Sequence, residues 1–554
     1  MAAQTFMESF RQAAVDAERP LGGLIVPRRL VLIAACVIVL LYASGIHGQW
    51  WPSLDSSGYL VLGRSIASGE GYRFNGQVDD THPPGLPLLL AGVYLLAGEN
   101  YWLFNGLITL SALGVLALMH ACLKRITDPA SALLLTVMTA LGYRFFLNAS
   151  RILSDMPMAL LAWLAIYASM RLGRGRWAWM SMACLSSAGT VLFRAAGLLL
   201  MGALAVGVLL DVRLFGPWRR RLAGALALVL PALAVMLALY WLAHQVSDAK
   251  PLYLRFLEQT AGQRPGLVES YLAQFAQAIG YWSTSMADLM MAQSFHAFGW
   301  LLIALWLVGL AGSIIRREWF SPALCILYPL GLLLVTWVEN AMRSRFLIVI
   351  QALLMLGALQ GLAAICGTVA RRARRDPQRT ARRLVPVLVA ILAIFTVGWN
   401  IPRLAIGMYL KAYAARTDRF YERVESGHYA DVLAAADAIA RLTEPGAVCL
   451  TDHSTAGLAH YRSRRLMAYW PVADEKAFES AEAVHSYAAN RPELSAIIVP
   501  SRIDRRPSAD GLPTGFDGDP AWRRVMENKS YVVYVRVRAT SLTASTSGHR
   551  AERT

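Results

Sequence analysis

Long apolar runs separated by short, arginine-bearing loops are the feature that most constrains how this chain folds. Runs close to the roughly 20 residues that cross the hydrocarbon core of a bilayer recur between residues 31 and 400. Charged residues make up only 16% of the 554 residues, whereas about 25% is usual in soluble proteins. The pattern predicts an α-helical polytopic membrane protein rather than a soluble protein with a large core.

The net charge of +17 would favour nucleic-acid binding in a soluble protein. Here the arginines cluster in short loops between apolar runs, which is typical of loops on the cytoplasmic side of a membrane. No nucleic-acid partner is therefore expected. Residues 1–29 are polar and include Glu8, Asp16 and Glu18, so we expect a cytoplasmic segment followed by a retained signal anchor rather than a cleaved signal peptide.

The six cysteines form no CxxC or Cys/His metal pattern. Five of them lie in or beside apolar runs, and only Cys449 lies in the polar C-terminal third. The spacing predicts that the cysteines pack as small apolar side chains and do not form a disulfide framework.

The topology depends on one run, residues 83–98, which reads "PPGLPLLLAGVYLLAG". If this run crosses the membrane, the basic loops at 124–125, 171–176 and 213–221 all lie outside. If it does not cross, each of these loops becomes cytoplasmic, as the positive-inside rule requires. The run is also short for a span and begins with two prolines. We predict a helix that lies on, or dips into, the outer membrane surface.

About eleven spans are then expected within a transmembrane domain at 30–402. This domain has two external loops, a first one at 46–100 and a long one at 245–293. The predicted spans are 30–45, 101–123, 130–147, 156–170, 177–193, 196–210, 222–244, 298–315, 320–338, 346–369 and 384–401.

The pattern changes after about residue 402. Short β-branched runs at 447–451, 496–500 and 531–537 predict strands, and residues 429–442 and 474–490 predict helices. This composition predicts a small α/β domain at 403–539, which the topology places on the extracytoplasmic side. Residues 540–554 are rich in Ser and Thr and are predicted to be a disordered tail.

Ionisable side chains recur at the predicted outer ends of the spans. Such groups are costly at membrane depth and usually face a water-filled cavity or a charged partner. One interpretation is a reaction site. The alternative, which stays open, is a set of interfacial caps, snorkelling arginines and structural ion pairs. Asp79 and Asp80 are expected to be solvated loop acids. The candidate site residues of this layer are Asp55, His82, Asp155, Arg194, Glu339, Arg343 and Arg345.

These residue types suit one kind of chemistry. A carboxylate can take the proton of an incoming hydroxyl group, and arginines can bind a phosphate and stabilise the charge that develops as it leaves. A phosphate at a membrane surface with its tail in the bilayer is a lipid phosphate. The layer therefore predicts transfer of a group from a lipid-phosphate carrier to an acceptor hydroxyl. The sequence contains no GxxxxGK[ST] or GxGxxG loop for a nucleotide donor.

Several segments, in this order, resemble a known family. They are "LDSSGYLVLGRSIASGEGY", "THPPGLPLLLAGVYLLAG", "SRILSDMPMALLAWLAIY", "LFRAAGLLL" and "ENAMRSRFLIVIQALLMLGAL". Together they resemble the GT-C membrane glycosyltransferases of the protein O-mannosyltransferase and lipid A aminoarabinose transferase type. The resemblance covers about residues 30–369 and extends loosely into the C-terminal domain.

The resemblance implies roles for the acids. Asp55 matches the family's acidic residue after the first span, which would activate or orient the acceptor; many members carry an acidic pair there, whereas Ser56 follows here. Asp155 matches the second acidic motif and would assist. Tyr59 and Glu339 are candidate supporting residues.

The resemblance also implies a phosphate site. His82, with the two prolines after it, matches a Lys- or His-Pro-Pro motif near the donor phosphate, although neutral His is a poorer phosphate ligand than Lys. Arg345 matches an Arg-Phe/Tyr motif, Arg343 lies two residues earlier, and Arg194 resembles an arginine of the following external turn. A divalent metal held by Asp55, Asp155 and His82 is an option that the sequence neither requires nor excludes.

The expected enzyme is thus an inverting glycosyltransferase of the bacterial cytoplasmic membrane with a periplasmic active site. Its donor would be a sugar on a polyprenyl phosphate, usually undecaprenyl phosphate in bacteria. A lipid, a glycan and a protein all stay open as acceptors. The alternative is a transporter or lipid flippase, which would place polar residues near the middle of the bilayer and show repeat symmetry. A third interpretation is a membrane protein without catalytic activity whose external domain binds a partner.

Overall fold

The computed structural model describes residues 2–22, 24–172, 176–246, 267–291, 296–335, 344–373, 377–414, 428–451, 453–469, 481–501, 516 and 519–537. Contacts between residues divide the chain into two units. The first, here called the helical unit, comprises Met1–Trp50 and Asp80–Ala415. The second, here called the α/β unit, comprises Trp51–Asp79 and Arg416–Thr554.

The helical unit consists of helices joined mostly by short loops. Helices and strands are numbered in chain order over both units. The helices of this unit are α1 (Ala2–Asp16), α2 (Arg28–Ala43), α4 (Gly85–Ala97), α5 (Tyr101–Ile126), α6 (Pro129–Leu141), α7 (Tyr143–Asn148), α8 (Asp155–Ser169), α9 (Arg176–Phe193), α10 (Ala196–Leu210), α11 (Val212–Phe215), α12 (Trp218–Val246), α13 (Leu267–Met291), α14 (His296–Arg316), α15 (Phe320–Val335), α16 (Ser344–Leu347), α17 (Gln351–Arg372) and α18 (Pro377–Ala414).

Five stretches of helix in the described residues are long and apolar enough to cross a membrane: Tyr101–Ile126, Trp218–Leu242, His296–Arg316, Gln351–Arg372 and Arg383–Leu410. Further apolar helices are shorter, namely Gly85–Ala97, Pro129–Leu141, Asp155–Ser169, Trp177–Phe193, Ala196–Leu210 and Phe320–Leu333. The chain is therefore a polytopic α-helical protein in which several of the predicted spans are helices of only 10–17 residues.

Two predicted spans are interrupted. The span at 130–147 breaks at Gly142, where a side chain would meet the Leu289 carbonyl of α13 at 3.2 Å. The span at 346–369 begins as the short helix α16, and the long helix α17 starts only at Gln351. The external loop predicted at 245–293 contains the 25-residue helix α13, which packs against α14.

Helices α14 and α17 approach each other closely because glycines face across their contact. A Cβ atom on Gly309 would overlap the carbonyl of Gly357, and one on Gly361 would overlap the carbonyl of Leu305. Gly357 and Gly361 form a GxxxG pair, which allows helix backbones to touch in a membrane. This GxxxG pair is visible in the sequence and is a signal from which the contact could have been predicted.

The basic loops gather at one end of the helical unit, here called the basic end. Arg125, at the end of α5, donates to the Met170 carbonyl just after α8, at 2.9 Å. Arg213 in α11 pairs with Glu318 at 2.8 Å and with Glu18 at 3.2 Å. Loops that the charge pattern assigns to one side of the membrane are thus in direct contact.

Helix α4 begins and ends away from the basic end. Gly85, its first residue, packs against the Leu192 carbonyl at the end of α9. Its last residue, Ala97, is followed almost at once by Tyr101, the start of α5, and α5 then runs to the basic end. With 13 residues the helix is about 20 Å long. That residues 83–98 lie on, or dip into, the outer membrane surface stays a prediction.

The α/β unit contains a five-stranded sheet in the order β4-β3-β5-β7-β6. Strands β4, β3 and β5 are parallel, and β7 and β6 continue the sheet in antiparallel pairs. The core is apolar and includes Leu450, Ile497, Phe516, Val532 and Tyr534. The elements of this unit are α3 (Leu54–Ala67), β1 (Arg73–Phe74), β2 (Gln77–Val78), α19 (His428–Leu442), β3 (Val448–Thr451), α20 (His453–Ser463), β4 (Leu466–Tyr469), α21 (Ala481–Ala489), β5 (Leu494–Pro500), β6 (Trp522–Glu527) and β7 (Tyr531–Arg536).

Two features of this unit differ from the sequence-based domain boundaries. Helix α18 runs through residues 402 and 403 to Ala414, so the boundary comes later in the chain. Residues Trp51–Asp79, expected to belong to the first external loop of the transmembrane domain, are part of the α/β unit. The predicted tail at 540–554 lies outside the described residues.

Candidate functional site

One carboxylate of the helical unit is held by two arginines from distant segments. The Nε atom of Arg345 donates to both oxygens of Asp155, at 2.9 and 3.1 Å. Arg194 donates through Nη1 to the same carboxylate. The side chain of Asp155 is 3% exposed and that of Arg194 10%, whereas Arg345 is 28% exposed. The three predicted site residues therefore form one cluster, with Arg345 nearest to solvent.

The local sequence explains why the carboxylate is tolerated at this depth. Asp155 lies in the first turn of α8, where the partial positive charge of a helix N-terminus favours an acid. Two guanidinium groups and one carboxylate leave the cluster with a net charge of +1. A buried carboxylate is stable only when it is paired and hydrogen-bonded, and here both conditions are met. The excess positive charge is suited to binding an anion.

Arg194 is placed by the tight turn between α9 and α10. Its N–H donates to the Thr190 carbonyl at 2.9 Å, and its own carbonyl accepts from the N–H of Gly197 at 2.8 Å. A Cβ atom on Gly197 would come within 2.7 Å of the Thr190 carbonyl, so a larger residue would open this turn. The guanidinium carbon lies 4.3 Å from the centroid of the Phe346 ring, a cation–π contact that fixes its plane.

The segment that carries Arg345 is anchored by two buried aromatic side chains. The Tyr328 hydroxyl of α15 donates to the Phe346 carbonyl at 3.4 Å. The indole N–H of Trp163 donates to the Val349 carbonyl at 3.1 Å. Trp163 and Asp155 lie on the same helix, so α8 holds the Arg345 segment by its backbone as well as by its charge. Neither aromatic residue was predicted from the sequence, because each has this role only through a tertiary contact, which for Trp163 spans 186 residues.

The helix that follows the His-Pro-Pro motif adjoins the turn that carries Arg194. His82 is half-buried and precedes α4. Gly85 packs so closely on the end of α9 that a Cβ atom there would come within 2.7 Å of the Leu192 oxygen. Since Arg194 begins the turn after α9, the start of α4 adjoins the turn that positions Arg194.

Asp55 and Tyr59 belong to the α/β unit. Asp55 is half-buried in the first turn of α3, and Tyr59 is buried on the same helix. Ser53 and Ser56 form a capping box that starts this helix, with the Ser56 N–H donating to Ser53 Oγ at 3.1 Å. Ser56 therefore has a structural role as one half of the box that caps α3.

Two candidates, Glu339 and Arg343, lie outside the described residues. A further ion pair was not expected from the sequence: Arg144 in α7 and Asp288 in α13 are 2.8 Å apart. Both helices contact α16, which carries Arg345. Two features of the sequence could have indicated this pair: Arg144 lies where a predicted span breaks, and Asp288 lies inside an apolar stretch. An ionisable side chain at membrane depth needs a partner.

The residues of the cluster do not fit a metal ion. Both oxygens of Asp155 face guanidinium groups, which would repel a cation. Among the described residues no group of three or more His, Cys, Asp or Glu side chains is arranged to hold a metal. Asp155 is therefore a poor ligand for the metal ion suggested at Asp55, Asp155 and His82.

No protein-family model matches the sequence, and no curated protein matches it. Solved structures do match. ArnT from Cupriavidus metallidurans in the apo state is 17% identical with a TM-score of 0.55, and the match covers 92% of this chain and 98% of ArnT. The structure of the same protein bound to undecaprenyl phosphate is 16% identical, with a TM-score of 0.55 and coverages of 93% and 99%.

The oligosaccharyltransferase of Archaeoglobus fulgidus, tethered to an acceptor peptide containing the NVT sequon, is 12% identical with a TM-score of 0.50. That match covers 86% of this chain and 70% of the oligosaccharyltransferase. At these identities the likeness establishes the fold. It is the fold of the GT-C membrane glycosyltransferases, as the resemblance in the sequence predicts.

Proposed function

We propose that this chain, which has the fold of the GT-C membrane glycosyltransferases, moves a sugar from a polyprenyl phosphate carrier to an acceptor hydroxyl. The observation that carries the proposal is the buried Asp155 carboxylate joined to Arg194 and Arg345. The cluster combines a net positive charge with a partly exposed arginine, as a site for a lipid phosphate requires. ArnT, which shares the fold over nearly its whole length, has been solved with undecaprenyl phosphate bound.

In this mechanism the two arginines act on the leaving phosphate. As the bond between the sugar C1 and the phosphate oxygen breaks, the electron pair stays on the phosphate and its negative charge rises. Guanidinium groups fixed in place beforehand stabilise that charge without reorganisation. Asp155 holds both groups in position. His82, before the helix that abuts the Arg194 turn, is a further candidate for the phosphate.

Asp55 is proposed as the general base. The acceptor hydroxyl loses its proton to the Asp55 carboxylate while its oxygen forms a bond to the sugar C1. The phosphate leaves from the opposite face of C1, so the anomeric configuration inverts. The support is that Asp55 stands in the capped first turn of a helix, which fixes its backbone, and that it matches the family's acid by resemblance.

The proposed location is the outer face of a bacterial cytoplasmic membrane. The basic end of the helical unit would face the cytoplasm, since cytoplasmic loops are rich in Lys and Arg. Asp155 begins α8, and Met170, just after the end of α8, contacts Arg125 at the basic end. The cluster would then lie on the extracytoplasmic side. The α/β unit is proposed to be extracytoplasmic as well.

The position of the cluster also bears on the transporter alternative. A transporter would hold its ionisable groups near the middle of the bilayer. Asp155 stands instead in the first turn of its helix, about 22 Å along the axis from the other end of that helix. The acceptor stays open between a lipid, a glycan and a protein. Of the two proteins of the same fold, ArnT has been solved with undecaprenyl phosphate and the oligosaccharyltransferase with an acceptor peptide.

The proposal is tested by comparing cell-envelope glycolipids and glycans from cells with and without this protein, using mass spectrometry. We expect one mass difference corresponding to a sugar, restored by the wild-type chain. Asp55→Asn should not restore it, whereas Asp437→Asn, which changes a half-buried helical acid of the same unit, should. Identical envelopes with and without the protein would overturn the proposed transfer, and full restoration by Asp55→Asn would remove Asp55 from the mechanism.

A further inference from the structure

The helix that carries Asp55 is packed on the C-terminal part of the α/β unit. Helix α3 lies against α20. Near its end, the guanidinium carbon of Arg64 lies 5.2 Å from the centroid of the Tyr461 ring. The Nη1 atom of Arg64 also donates to the Tyr461 carbonyl at 3.4 Å. A segment that the chain separates from α20 by about 400 residues is therefore part of the same body.

A β-hairpin follows α3 and makes the closest contacts. Arg73 pairs with Val78 and Phe74 with Gln77, which leaves Asn75 and Gly76 as a two-residue turn. Both turn residues have positive φ, 54° and 78°, as a type I′ turn requires, and Asn-Gly is its preferred sequence. The two turn residues are therefore of the types that favour this turn locally.

The side chain of Asn75 clamps the turn to the edge of the five-stranded sheet. Its Nδ2 donates to the Met467 carbonyl at 2.6 Å, and its Oδ1 accepts from the Met467 N–H at 2.7 Å. Met467 belongs to β4, the edge strand. The amide thus satisfies both backbone groups of one residue on that edge, as a neighbouring strand would. Gly76 allows the approach, since a Cβ atom there would come within 3.2 Å of the Leu466 side chain.

The backbone of Asn75 is held by a buried histidine. The Asn75 N–H donates to Nε2 of His460 at 3.2 Å. His460 is 9% exposed, and its Nδ1 lies 2.6 Å from the Arg465 carbonyl. Nδ1 must therefore carry the proton, which leaves Nε2 as the acceptor. The ring of Phe74 packs edge-on against the same imidazole, with centroids 5.5 Å apart.

The hairpin and α3 are linked to each other as well. The Ser65 hydroxyl of α3 donates to the Gly71 carbonyl at 2.9 Å. The Glu70 N–H donates to the Ser65 carbonyl, also at 2.9 Å. The path from Asp55 along α3 to the hairpin and on to β4 is thus hydrogen-bonded at each step.

We propose that Asn75 is a positioning residue for the transfer reaction, because its clamp fixes the helix of Asp55 on the C-terminal sheet. The C-terminal part of the α/β unit then holds the helix that carries the general base. This inference rests on the proposed role of Asp55. Helix α3 is about 21 Å long, so a small rotation at the hairpin displaces Asp55, and a misplacement of about 1 Å can cost on the order of 100-fold in rate.

The test compares Asn75→Gly with Asn490→Gly. Glycine keeps the positive φ of the turn and removes only the side-chain amide. Asn490 is an exposed residue of the same unit whose amide donates to the Ser486 carbonyl, one turn back. Three quantities are measured for each full-length variant: restoration of the glycan in cells, binding of undecaprenyl phosphate by native mass spectrometry, and hydrogen exchange of backbone amides in residues 54–78 and 466–469.

For Asn75→Gly we expect product to fall about tenfold or more, with undecaprenyl phosphate binding changed less than about twofold, because the arginine cluster belongs to the other unit. Amides of the hairpin and of Met467 should exchange faster. Asn490→Gly should leave all three quantities unchanged. A purely structural role would instead lower product only in proportion to the folded protein recovered.

Asp55→Asn is measured in parallel, so that the two proposals fail separately. If Asp55→Asn is fully active, the proposed function of Asp55 is wrong. If Asp55→Asn is inactive while Asn75→Gly keeps wild-type product despite a loosened hairpin, the positioning role is wrong and the role of Asp55 stands. If Asn75→Gly is not recovered folded, Arg64→Leu loosens the same helix through Tyr461, and wild-type product from it with faster exchange in α3 would equally overturn the positioning role.

Discussion

Arg345 and Asp155 stand 190 residues apart in the chain, and yet the Nε atom of the arginine contacts both oxygens of the carboxylate. The bond joins the short helix α16 to the first turn of α8. Because Arg194 approaches the same carboxylate from a third segment, one acid sets the positions of two cations. Substitution of Arg345 or of Asp155 should therefore change phosphate binding through the geometry of the cluster as well as through its charge.

The first prediction concerns the shape of the cation. Arg345→Lys keeps the positive charge but has a single ammonium group in place of the planar fork of N–H donors. Lys cannot hold Asp155 and a phosphate at once with the same geometry. We expect undecaprenyl phosphate to bind about 10- to 100-fold more weakly, the equivalent of one charge-assisted hydrogen bond. Native mass spectrometry titration measures this affinity.

Arg144→Lys serves as the control, because Arg144 also pairs with an acid through Nε but is 38% exposed. Exposed ion pairs contribute little, and so its effect on affinity should be small. Equal effects of the two substitutions would show that the bond to Asp155 has no special role in phosphate binding.

The second prediction concerns stability. Asp155→Asn removes the negative charge between two guanidinium groups, of which Arg194 is 10% exposed. Breaking a buried ion pair from one side costs about 3–5 kcal/mol, because the remaining charge is left unpaired. We expect a clear fall in the melting temperature of the purified protein. The double variant Asp155→Asn, Arg194→Gln should melt at a higher temperature than the single variant. Additive losses in the double variant would contradict coupling between the two side chains.

Part of the site could be predicted from the sequence, and the reason lies in how membranes sort charges. The positive-inside rule assigns basic loops to one side, and this places Asp155 and Arg194 at the opposite ends of their helices. That the three residues share an end of the bundle follows from counting charges. Their contact does not, since it depends on Trp163 and Tyr328, which hold the Arg345 segment through backbone carbonyls 186 and 18 residues away in sequence.

The fold, like the site, could be predicted only in part. Apolar runs indicate helices, but not where Gly142 breaks one of them to admit a carbonyl of α13. The membership of residues Trp51–Asp79 in the α/β unit was not predicted, because the topology alone makes them an external loop. A local signal was nonetheless present: Asn75-Gly76 between short extended pairs is a typical hairpin sequence. Its docking partner, the edge strand β4, was itself not predicted.

A third prediction tests how α4 is seated. Gly85→Ala would bring a Cβ atom to within 2.7 Å of the Leu192 carbonyl, and that carbonyl belongs to the backbone next to Arg194. The start of α4 must then move away from the turn. We expect a loss of product and weaker binding of undecaprenyl phosphate. On the same helix, Gly92→Ala meets nothing within 4 Å and should leave product unchanged, with a slight gain in stability from the better helix former. Wild-type product from Gly85→Ala would show that the seating of α4 is unimportant for the site.

The last prediction concerns pH and the α/β unit. Burial lowers the pKa of His460 from its ordinary value of 6.5, and the nearby Arg64 lowers it further, whereas the hydrogen bond to the Arg465 carbonyl and the charge of Glu70 raise it. The folded state therefore binds the proton less readily than the unfolded state. The contribution of neutral His460 to the free energy of unfolding is therefore fully present above about pH 6.5. It is lost as the pH drops from that value towards the pKa of His460 in the folded state.

Protonation of His460 also places a hydrogen on Nε2, the atom that accepts the Asn75 N–H, so the hairpin should loosen over the same pH range. Hydrogen exchange of the hairpin amides at pH 7.5 and 5.5, corrected for the intrinsic exchange rate at each pH, measures this directly. His460→Gln, whose neutral amide does not titrate, is the matched variant. We expect protection of the hairpin to fall at pH 5.5 in the wild-type chain and to stay constant with pH in the variant. The same pH dependence in both chains would assign the effect to another group.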